Sequence, residues 1–293
     1  MKHSIQQTNF KNLNLVGRGK VRDIYSIKDY LLIVTTDRIS AFDVIMSDPV
    51  PGKGIILNKM SAFWFEHMKD IIDNHIVSTN PADYPEECAP YSKDLEGRSM
   101  LVKKATPLPV ECVVRGYLSG SGWKDYQKNK IVSGIKLPNG LKESSKLSEP
   151  IFTPSTKAPE GEHDAPINKR EMEDLIGADL TDKVIQISLS VYKRATEMAL
   201  KAGIVIADTK MEFGLIDNKL ILIDELLTPD SSRFWSADEY KEGRAQKSFD
   251  KQFLRDYLLS IQWNQKPPAP KLPAEIIENT RKKYEEALNH LVN

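Results

Sequence analysis

The chain has 293 residues, of which 40% are hydrophobic, 28% are charged and 8% are aromatic. This composition is typical of folded globular proteins and excludes the disordered, fibrous and disulfide-rich classes. Lys and Arg total 41, as do Asp and Glu, so the net charge is zero and no general positive field is present to hold nucleic acid. We therefore expect any bound anion to be held by local clusters of cations.

Cellular location and metal content are constrained by what the sequence lacks. No run of about 18 apolar residues is present, as a membrane span requires, and the first residues lack the apolar segment of a signal peptide. These features predict a cytoplasmic protein without a membrane partner. The two cysteines, Cys88 and Cys112, lie far apart, and the five histidines show no ligand spacing, so neither a disulfide framework nor a zinc site is expected.

Short apolar segments with strand character dominate the first hundred residues. The predicted strands are Asn14 to Val16, Val21 to Ile27, Tyr30 to Thr36 and Ser99 to Ala105. Apolar residues recur at intervals of three and four from Ile55 to Ile71, which predicts a helix that covers the sheet. The prolines between Thr106 and Pro109 favour a division near Lys104, into units 1–104 and 105–293.

The second unit combines strands and helices. The predicted strands are Val110 to Val114, Ile204 to Ala207, Glu212 to Ile216 and Lys219 to Leu226, the last two joined by a turn at Asp217 and Asn218. The predicted helices are Asn168 to Ile176, Asp182 to Lys201, Phe249 to Ile261 and Ala274 to Leu291. Five prolines and little periodicity between Pro138 and Pro166 predict a long irregular loop, which is more often functional than not.

In the segment from Gly17 to Tyr25, a predicted strand meets two glycines, and two cations then alternate along the next predicted strand. Glycine allows the backbone to approach a phosphate, and Lys20 and Arg22, two residues apart, should project from one face of the next strand. The segment is not a Walker P-loop, because the Gly-Lys-Ser/Thr ending is missing. By itself the pattern fits an ordinary hairpin turn with solvated cations more often than a phosphate site.

Acidic residues lie on two apolar strands that the predicted hairpin would bring together. Glu212 and Asp224 on facing strands form a plausible magnesium site, because Mg²⁺ takes one or two carboxylates together with phosphate and water oxygens. Lys210 shares the strand face of Asp208 and Glu212. The alternative is an amphipathic hairpin that turns these side chains to solvent, and the pattern alone does not separate the two.

Two arginines follow apolar segments and meet small or polar residues. Arg115 leaves a buried strand and enters a loop of Gly and Ser that includes Ser121, where a guanidinium could meet a phosphate or carboxylate bidentately. Arg233 ends a polar turn beside two aromatic residues. For Arg115 the alternative is a capped helix start with a surface arginine.

His163 and Asp164 do not indicate a serine-hydrolase triad. The side chains of adjacent residues rarely point together, and the sequence has no nucleophile elbow here.

The chain resembles the phosphoribosylaminoimidazole-succinocarboxamide synthase (SAICAR synthetase) family in two highly specific segments, Leu108 to Ser121 and Ile206 to Gly214. Further matching segments are Gly19 to Tyr25, Thr36 to Asp43, Pro51 to Gly54, Ser155 to Lys157 and Gly161 to Asp164. The likeness runs from about residue 12 to residue 265, so the family relation covers most of the chain.

The resemblance implies a role for each cluster. The residues implied to bind ATP are Gly19, Lys20, Val21, Arg22, Val102, Lys103 and Lys157. The residues implied to bind the ribonucleotide or aspartate are Arg115, Ser121, Arg233, Asp208, Lys210, Arg38, Ser40 and Asp164, with Arg38 in a loop near the amino-acid site. Glu212 and Asp224 match the carboxylates that bind Mg²⁺, and the implied catalytic residues are Lys210, Asp208 and Lys20.

The resemblance also implies a fold and a reaction. The fold would be α+β and two-lobed, similar to ATP-grasp proteins or protein kinases, with an antiparallel β-rich nucleotide-binding N-lobe (1–104) over a mixed α/β C-lobe (105–293) that carries the metal and ribonucleotide sites. The reaction would join L-aspartate to the carboxylate of 5-amino-1-(5-phosphoribosyl)imidazole-4-carboxylate (CAIR) through an acyl phosphate, with ATP and Mg²⁺ as cofactors. Its partners would be the small molecules CAIR, L-aspartate and ATP. The protein itself would be a monomer or a small homo-oligomer.

Two other functions fit a fold of this kind. A kinase is disfavoured because the His-Arg-Asp and Asp-Phe-Gly motifs are absent, and a catalytically silent nucleotide-binding protein is disfavoured because Lys20, Glu212 and Asp224 are intact.

The chain is longer than the compact form of the family. The extra residues lie at Tyr84 to Arg98, at Gly134 to Pro150 and in a C-terminal helix after Gln265. These segments leave the oligomeric state open.

Overall fold

The computed structural model describes residues 4–157 and 164–292. The strands are β1 (Asn14–Arg18), β2 (Arg22–Ile27), β3 (Tyr30–Thr35), β4 (Ser40–Ala41), β5 (Val44–Ile45), β6 (Ile76–Ser78), β7 (Ser99–Lys103), β8 (Thr106–Pro107), β9 (Val110–Tyr117), β10 (Ile131–Val132), β11 (Ile135–Lys136), β12 (Lys146–Phe152), β13 (Ser155–Thr156), β14 (Ile204–Ile216), β15 (Lys219–Ile223) and β16 (Ser232–Ser236). The helices are α1 (Lys53–Met68), α2 (Ser92–Leu95), α3 (Gly120–Asn129), α4 (Lys169–Ile176), α5 (Ala178–Lys201), α6 (Gln252–Ser260) and α7 (Ala274–Val292). No helix within the two described ranges is long and apolar enough to span a membrane.

The first sheet is antiparallel and has five strands in the order β1-β2-β3-β7-β6. Strand β3 is apolar along its length because both of its faces are covered. Leu32 and Val34 pack against Leu101 and the segment before β7, whereas Ile33 and Met100 pack on the side of α1. The sheet thus has helical or turn structure on each face.

The second sheet is built around β14, which has 13 residues and contacts β8, β9, β15 and β16. The sequence predicted two separate strands here, Ile204 to Ala207 and Glu212 to Ile216, and that prediction was wrong. The polar residues between them stay in the strand because β9 and β16 pair with this stretch, with Asp208 opposite both Arg115 and Arg233. All strand pairings in both sheets are antiparallel, and the fold is a mixed α/β fold.

The segment from Pro138 to Pro166 is not the irregular loop that its prolines predicted. Strand β12 lies within it and pairs with β9, and β13 pairs with β9 further along. Pro150 is accommodated because the register of β12 shifts between Lys146 and Ile151, so that its missing N–H falls at an irregularity. Among the residues that the structure describes, two strands thus replace part of the expected loop.

Local sequence signals set several boundaries as predicted. Asp217 and Asn218 both adopt positive φ angles, 51° and 62°, and join β14 to β15 as a tight hairpin turn. Asn168 caps α4, where its side chain accepts from the backbone of Glu171 and the Glu171 side chain accepts from the backbone of Asn168. The predicted hairpin and the start of this helix are confirmed.

Helix α1 is the central packing element. Its residues Met60 and Trp64 belong to the main core with β14 and α5, while Leu57 belongs to a second apolar cluster with α6 and α7. The C-terminal helices thus pack against the helix that also faces the first sheet. The last strand of the first sheet ends at Lys103 and the second sheet begins at Thr106. A division of the chain near Lys104 stays a prediction.

Candidate active site

One face of the second sheet carries several of the charged residues that the sequence singled out. Alternation along β14 places Asp208, Lys210 and Glu212 on one face, and the register with β9 sets Asp208 opposite Arg115. Asp224 follows directly after Ile223, which is the register partner of Glu212. The structure therefore brings the predicted metal carboxylates and the predicted ribonucleotide residues to one surface.

Glu212 is a buried carboxylate between two lysines. Its side chain contacts the ammonium of Lys157, and Lys210 Nζ lies 3.7 Å from its Oε1. Burial opposes ionisation, but the two lysines outweigh it and lower the pKa of Glu212 below its usual value. Glu212 is therefore ionised at neutral pH, as a cation ligand must be.

Lys210 also contacts Glu111, which the sequence prediction did not assign to the site. Burial raises the pKa of Glu111, and Lys210 only partly offsets this. Burial opposes the charge of Lys210 as well, yet Glu111 and Glu212 raise its pKa above the usual value. Lys210 is thus a fixed cation. The available signal for Glu111 was its acidic side chain inside an apolar strand, four residues before Arg115 and on the same face.

Oxygen ligands suitable for magnesium are present, although not as a closed protein cage. Among residues 4–157 and 164–292, no three His, Cys, Asp or Glu side chains are grouped closely enough to hold a metal by themselves. Glu212 and Asp224 supply hard carboxylate oxygens beside the cations that would hold phosphate groups. Such a pair fits Mg²⁺, which usually keeps several waters and adds substrate phosphates to one or two carboxylates.

Arg22 connects the first sheet to these carboxylates. Its guanidinium contacts Asp224 and lies 2.8 Å from Glu225 Oε1, and its side chain is 14% exposed. Lys20 instead contacts Asp43 at a half-exposed position. Lys20 and Arg22 therefore have different partners, and of these two only Arg22 reaches the residues that follow β15.

Arg38 and Ser40 are buried, with relative exposures of 5% and 7%. Arg38 donates to the carbonyl oxygens of Gly19 at 2.8 Å and of Lys20 at 3.2 Å, and to Asp23 Oδ1 at 2.9 Å. The resemblance led us to expect Arg38 in a loop that faces substrate. In the structure Arg38 lies against the glycine-containing turn, where its guanidinium pairs with the buried Asp23 carboxylate. Its contact with substrate stays a prediction.

Arg115, Asp208 and Arg233 form a cluster with net positive charge. Arg115 Nη1 lies 3.1 Å from Asp208 Oδ2, Arg233 contacts the same carboxylate, and Arg115 Nη2 donates to Ser121 Oγ at 3.2 Å. One carboxylate holds the two guanidinium groups side by side, with 11% and 25% of their side chains exposed. Their remaining donors suit an anion such as a phosphate.

Gly120 begins α3 directly against Arg233. It has a positive φ angle of 56°, and a Cβ atom added there would lie 2.2 Å from Arg233 Nη2. Only glycine accepts both the backbone conformation and the contact. The N-terminus of α3, with its unpaired backbone N–H groups, therefore lies beside the arginine cluster and favours an anion at the same point.

The predicted adenine strand is paired on both sides. Val102 is buried and opposes Leu31 and Ile76, and the N–H of Lys103 donates to the carbonyl of His75 at 2.8 Å. Asp164 lies near enough to Glu111 to raise its pKa. Residues 158–163, which include the predicted Gly161 to His163 segment, lie outside the described residues.

Comparison with known proteins identifies the family. The family model described as SAICAR synthetase matches residues 15–270, and the relative from Desulfosudis oleivorans is 60% identical over the full length of both chains. The chain belongs to the SAICAR synthetase family. That relative, and one from Thermodesulfovibrio yellowstonii at 59% identity over both full lengths, are phosphoribosylaminoimidazole-succinocarboxamide synthases by name. The resemblance found in the sequence is confirmed.

Solved SAICAR synthetases share the fold. The SAICAR-synthase from Saccharomyces cerevisiae, solved as a complex with SAICAR, is 46% identical, superposes with a TM-score of 0.90 and covers 98% of both chains. A type-2 SAICAR synthetase in complex with ADP is 25% identical, has a TM-score of 0.69, and covers 94% of this chain and 97% of its own. Helix α7 lies beyond the part that the SAICAR synthetase family model matches, although the full-length relatives extend over it.

Proposed function

We infer that the chain is a ligase of purine biosynthesis that joins L-aspartate to the carboxylate of CAIR and forms SAICAR. The observation that carries this conclusion is 60% identity over the entire chain to a phosphoribosylaminoimidazole-succinocarboxamide synthase. The site is consistent with the assignment, because an arginine cluster for an anion and a carboxylate pair for a cation share one sheet face.

ATP and Mg²⁺ are the cofactors of the proposed reaction. Glu212 and Asp224 would hold the metal, which when bound neutralises phosphate charge and orients the transferred group. Lys20 and Arg22, with the backbone of Gly19 and Val21, would face the phosphates, and Lys157 lies beside Glu212 to join them. Support comes from the position of Arg22, whose guanidinium spans from the first sheet to Asp224.

The ribonucleotide phosphate would be held by Arg115, Ser121 and Arg233. The two guanidinium groups are held in place by Asp208, so their geometry is set before substrate arrives. The base and its carboxylate would then extend along the sheet face toward Lys210 and Glu212. Asp164, near Glu111, borders this region and is proposed as a substrate contact, whereas burial of Arg38 and Ser40 favours an indirect role for both.

The proposed chemistry passes through an acyl phosphate. A carboxylate oxygen of CAIR attacks the γ-phosphorus of ATP and ADP leaves; the deprotonated amine of aspartate then attacks the acyl carbon, and phosphate leaves with that oxygen. Lys20 and Lys210 would stabilise charge that develops during phosphoryl transfer. Lys210 acts as a cation and not as a base, because its carboxylate neighbours raise its pKa.

For the architecture we propose the two-lobed arrangement of ATP-grasp proteins and protein kinases, with 1–104 over 105–293 and the nucleotide between them. The change from the first sheet to the second between Lys103 and Thr106 supports the division. Helices α6 and α7, which fall in the second unit, pack in one apolar cluster with α1 of the first.

The test of this function is ADP release by the purified protein with Mg-ATP, CAIR and L-aspartate, each omitted in turn, with the product identified by mass. We expect ADP and SAICAR together only in the complete mixture. ADP formed equally without aspartate or CAIR would instead indicate a kinase or an uncoupled ATPase. CAIR labelled with ¹⁸O in its carboxylate tests the intermediate, because the acyl-phosphate route transfers one labelled oxygen to the released phosphate.

A further inference from the structure

Asp230 is the centre of a buried polar cluster outside the charged sheet face. Its Oδ2 lies 2.7 Å from Lys53 Nζ and 3.2 Å from Lys251 Nζ, and its Oδ1 accepts a hydrogen bond of 2.7 Å from the Tyr284 hydroxyl. The side chains of Asp230 and Lys53 are 3% and 0% exposed. A buried carboxylate with this set of donors is fixed in one orientation.

The donors come from three separate helices. Lys53 begins α1, Lys251 immediately precedes α6 and Tyr284 lies in the middle of α7. Tyr284 is fully buried, and burial together with Asp230 raises the pKa of its hydroxyl well above the usual range, so it remains a donor. The C-terminal helix therefore makes a directed polar contact with Asp230 in addition to its apolar packing on α1.

The turn that contains Asp230 leads directly to the anion cluster. Three residues after Asp230, Arg233 contacts Asp208. The adjoining Ser231 carbonyl accepts from the backbone N–H of Lys210 at 2.9 Å, and Ser232 Oγ lies 2.8 Å from Thr209 Oγ1. Asp230 is thus joined to Arg233 by only two residues, both of which are also fixed to β14.

We propose that Tyr284 and Asp230 are positioning residues for the ribonucleotide phosphate, through which α7 sets the place of Arg233. This inference rests on the proposed function, in which Arg233 holds that phosphate. It assigns α7 a role in substrate recognition, although this helix lies outside residues 15–270. Neither residue touches substrate, and both act through the turn.

The proposal predicts that weaker binding is confined to one group of the ribonucleotide, its 5′-phosphate. Misplacing a charged hydrogen-bonding group by about 1 Å can cost up to roughly a hundredfold, so loss of one of three restraints on Asp230 should cost about tenfold in phosphate-dependent affinity. The affinity for a ligand without the 5′-phosphate should stay unchanged. A merely structural role of Tyr284 would instead affect every ligand and the stability alike.

The experiment uses the full chain and the variant Tyr284→Phe, which keeps the ring and removes only the donor. Dissociation constants are measured by calorimetry for SAICAR and for its riboside, which lacks the 5′-phosphate, together with the KM for ATP. Tyr257→Phe is the matched control, because Tyr257 packs in the same apolar cluster and its hydroxyl makes no hydrogen bond within the described ranges.

We expect Tyr284→Phe to weaken SAICAR about tenfold, with the riboside, the KM for ATP and Tyr257→Phe at wild-type values. Equal weakening of SAICAR and riboside, or wild-type affinity for both, overturns the proposal. Lys251→Met is the second variant, since it removes another restraint on Asp230, leaves Lys53 to balance the charge, and should show the same split. Absence of SAICAR formation by the wild-type chain would instead reject the proposed function.

Discussion

Replacing Arg38 by Met distinguishes the position found in the structure from the one expected from the sequence. Methionine keeps the apolar stem, but removes the guanidinium that donates to Gly19, Lys20 and Asp23. Breaking a buried ion pair costs about 3–5 kcal/mol. In the variant, Asp23 keeps Arg18 Nε at 3.1 Å and two donors from Thr8 at 2.8 Å. We therefore expect the unfolding free energy to fall by about 3 kcal/mol, the lower end of this range.

The same substitution should weaken ATP binding, because the glycine-containing turn loses the hydrogen bonds that Arg38 donates to the carbonyl oxygens of Gly19 and Lys20. We expect the KM for ATP to rise about tenfold, or roughly 1.4 kcal/mol, while the KM for aspartate stays within about twofold. Steady-state kinetics and urea unfolding measure the two effects. Arg18→Met is the matched control, since Arg18 contacts Asp23 and the carbonyl of Thr8 but not those of the turn. A raised KM for aspartate with an unchanged KM for ATP would refute the reasoning and place Arg38 at the amino-acid site.

Three further predictions follow from the geometry. Asp224→Asn should lower kcat/KM for Mg-ATP by about 2–4 kcal/mol in transition-state terms, and near-normal turnover in a magnesium titration would remove Asp224 from the mechanism. Gly120→Ala should weaken SAICAR binding at least about tenfold, because its Cβ would meet Arg233 at 2.2 Å; wild-type affinity in calorimetry would contradict the packing. Burial lowers the pKa of His75 to about 3. Because the unfolded chain protonates near pH 6.5, stability should fall below that pH, by about 2 kcal/mol at pH 5. His75→Phe should flatten this decline in urea unfolding, and an unchanged slope would exclude His75 as its source.

The sequence predicted those features that depend on local pattern. The turn at Asp217 and Asn218 and the helix start at Asn168 were found because their residue types are required by the backbone conformation there. It also predicted Glu212 and Asp224 on facing strands, and Asp224 follows directly after Ile223, the register partner of Glu212, because a hairpin register follows from its turn.

The predictions that failed depended on partners distant in sequence. The sequence predicted two strands on either side of residues 208–211, yet β9 and β16 pair with this stretch and make it part of one strand, β14. Pro150 suggested a loop, but a register shift in β12 absorbs it. The burial of Arg38 was not predicted either way, because its partner Asp23 lies 15 residues away and periodicity does not connect the two; its role toward substrate stays a prediction.

The packing of α1 against α7 has a consequence for synthesis of the chain. The contact between Lys53 and Asp230 spans 177 residues, and Tyr284 lies a further 54 residues along the chain. Until α6 and α7 have been synthesised, Leu57 and its neighbours on α1 lack the apolar side chains that cover them in the folded chain. Contacts of such long range are formed late and leave nascent chains prone to association.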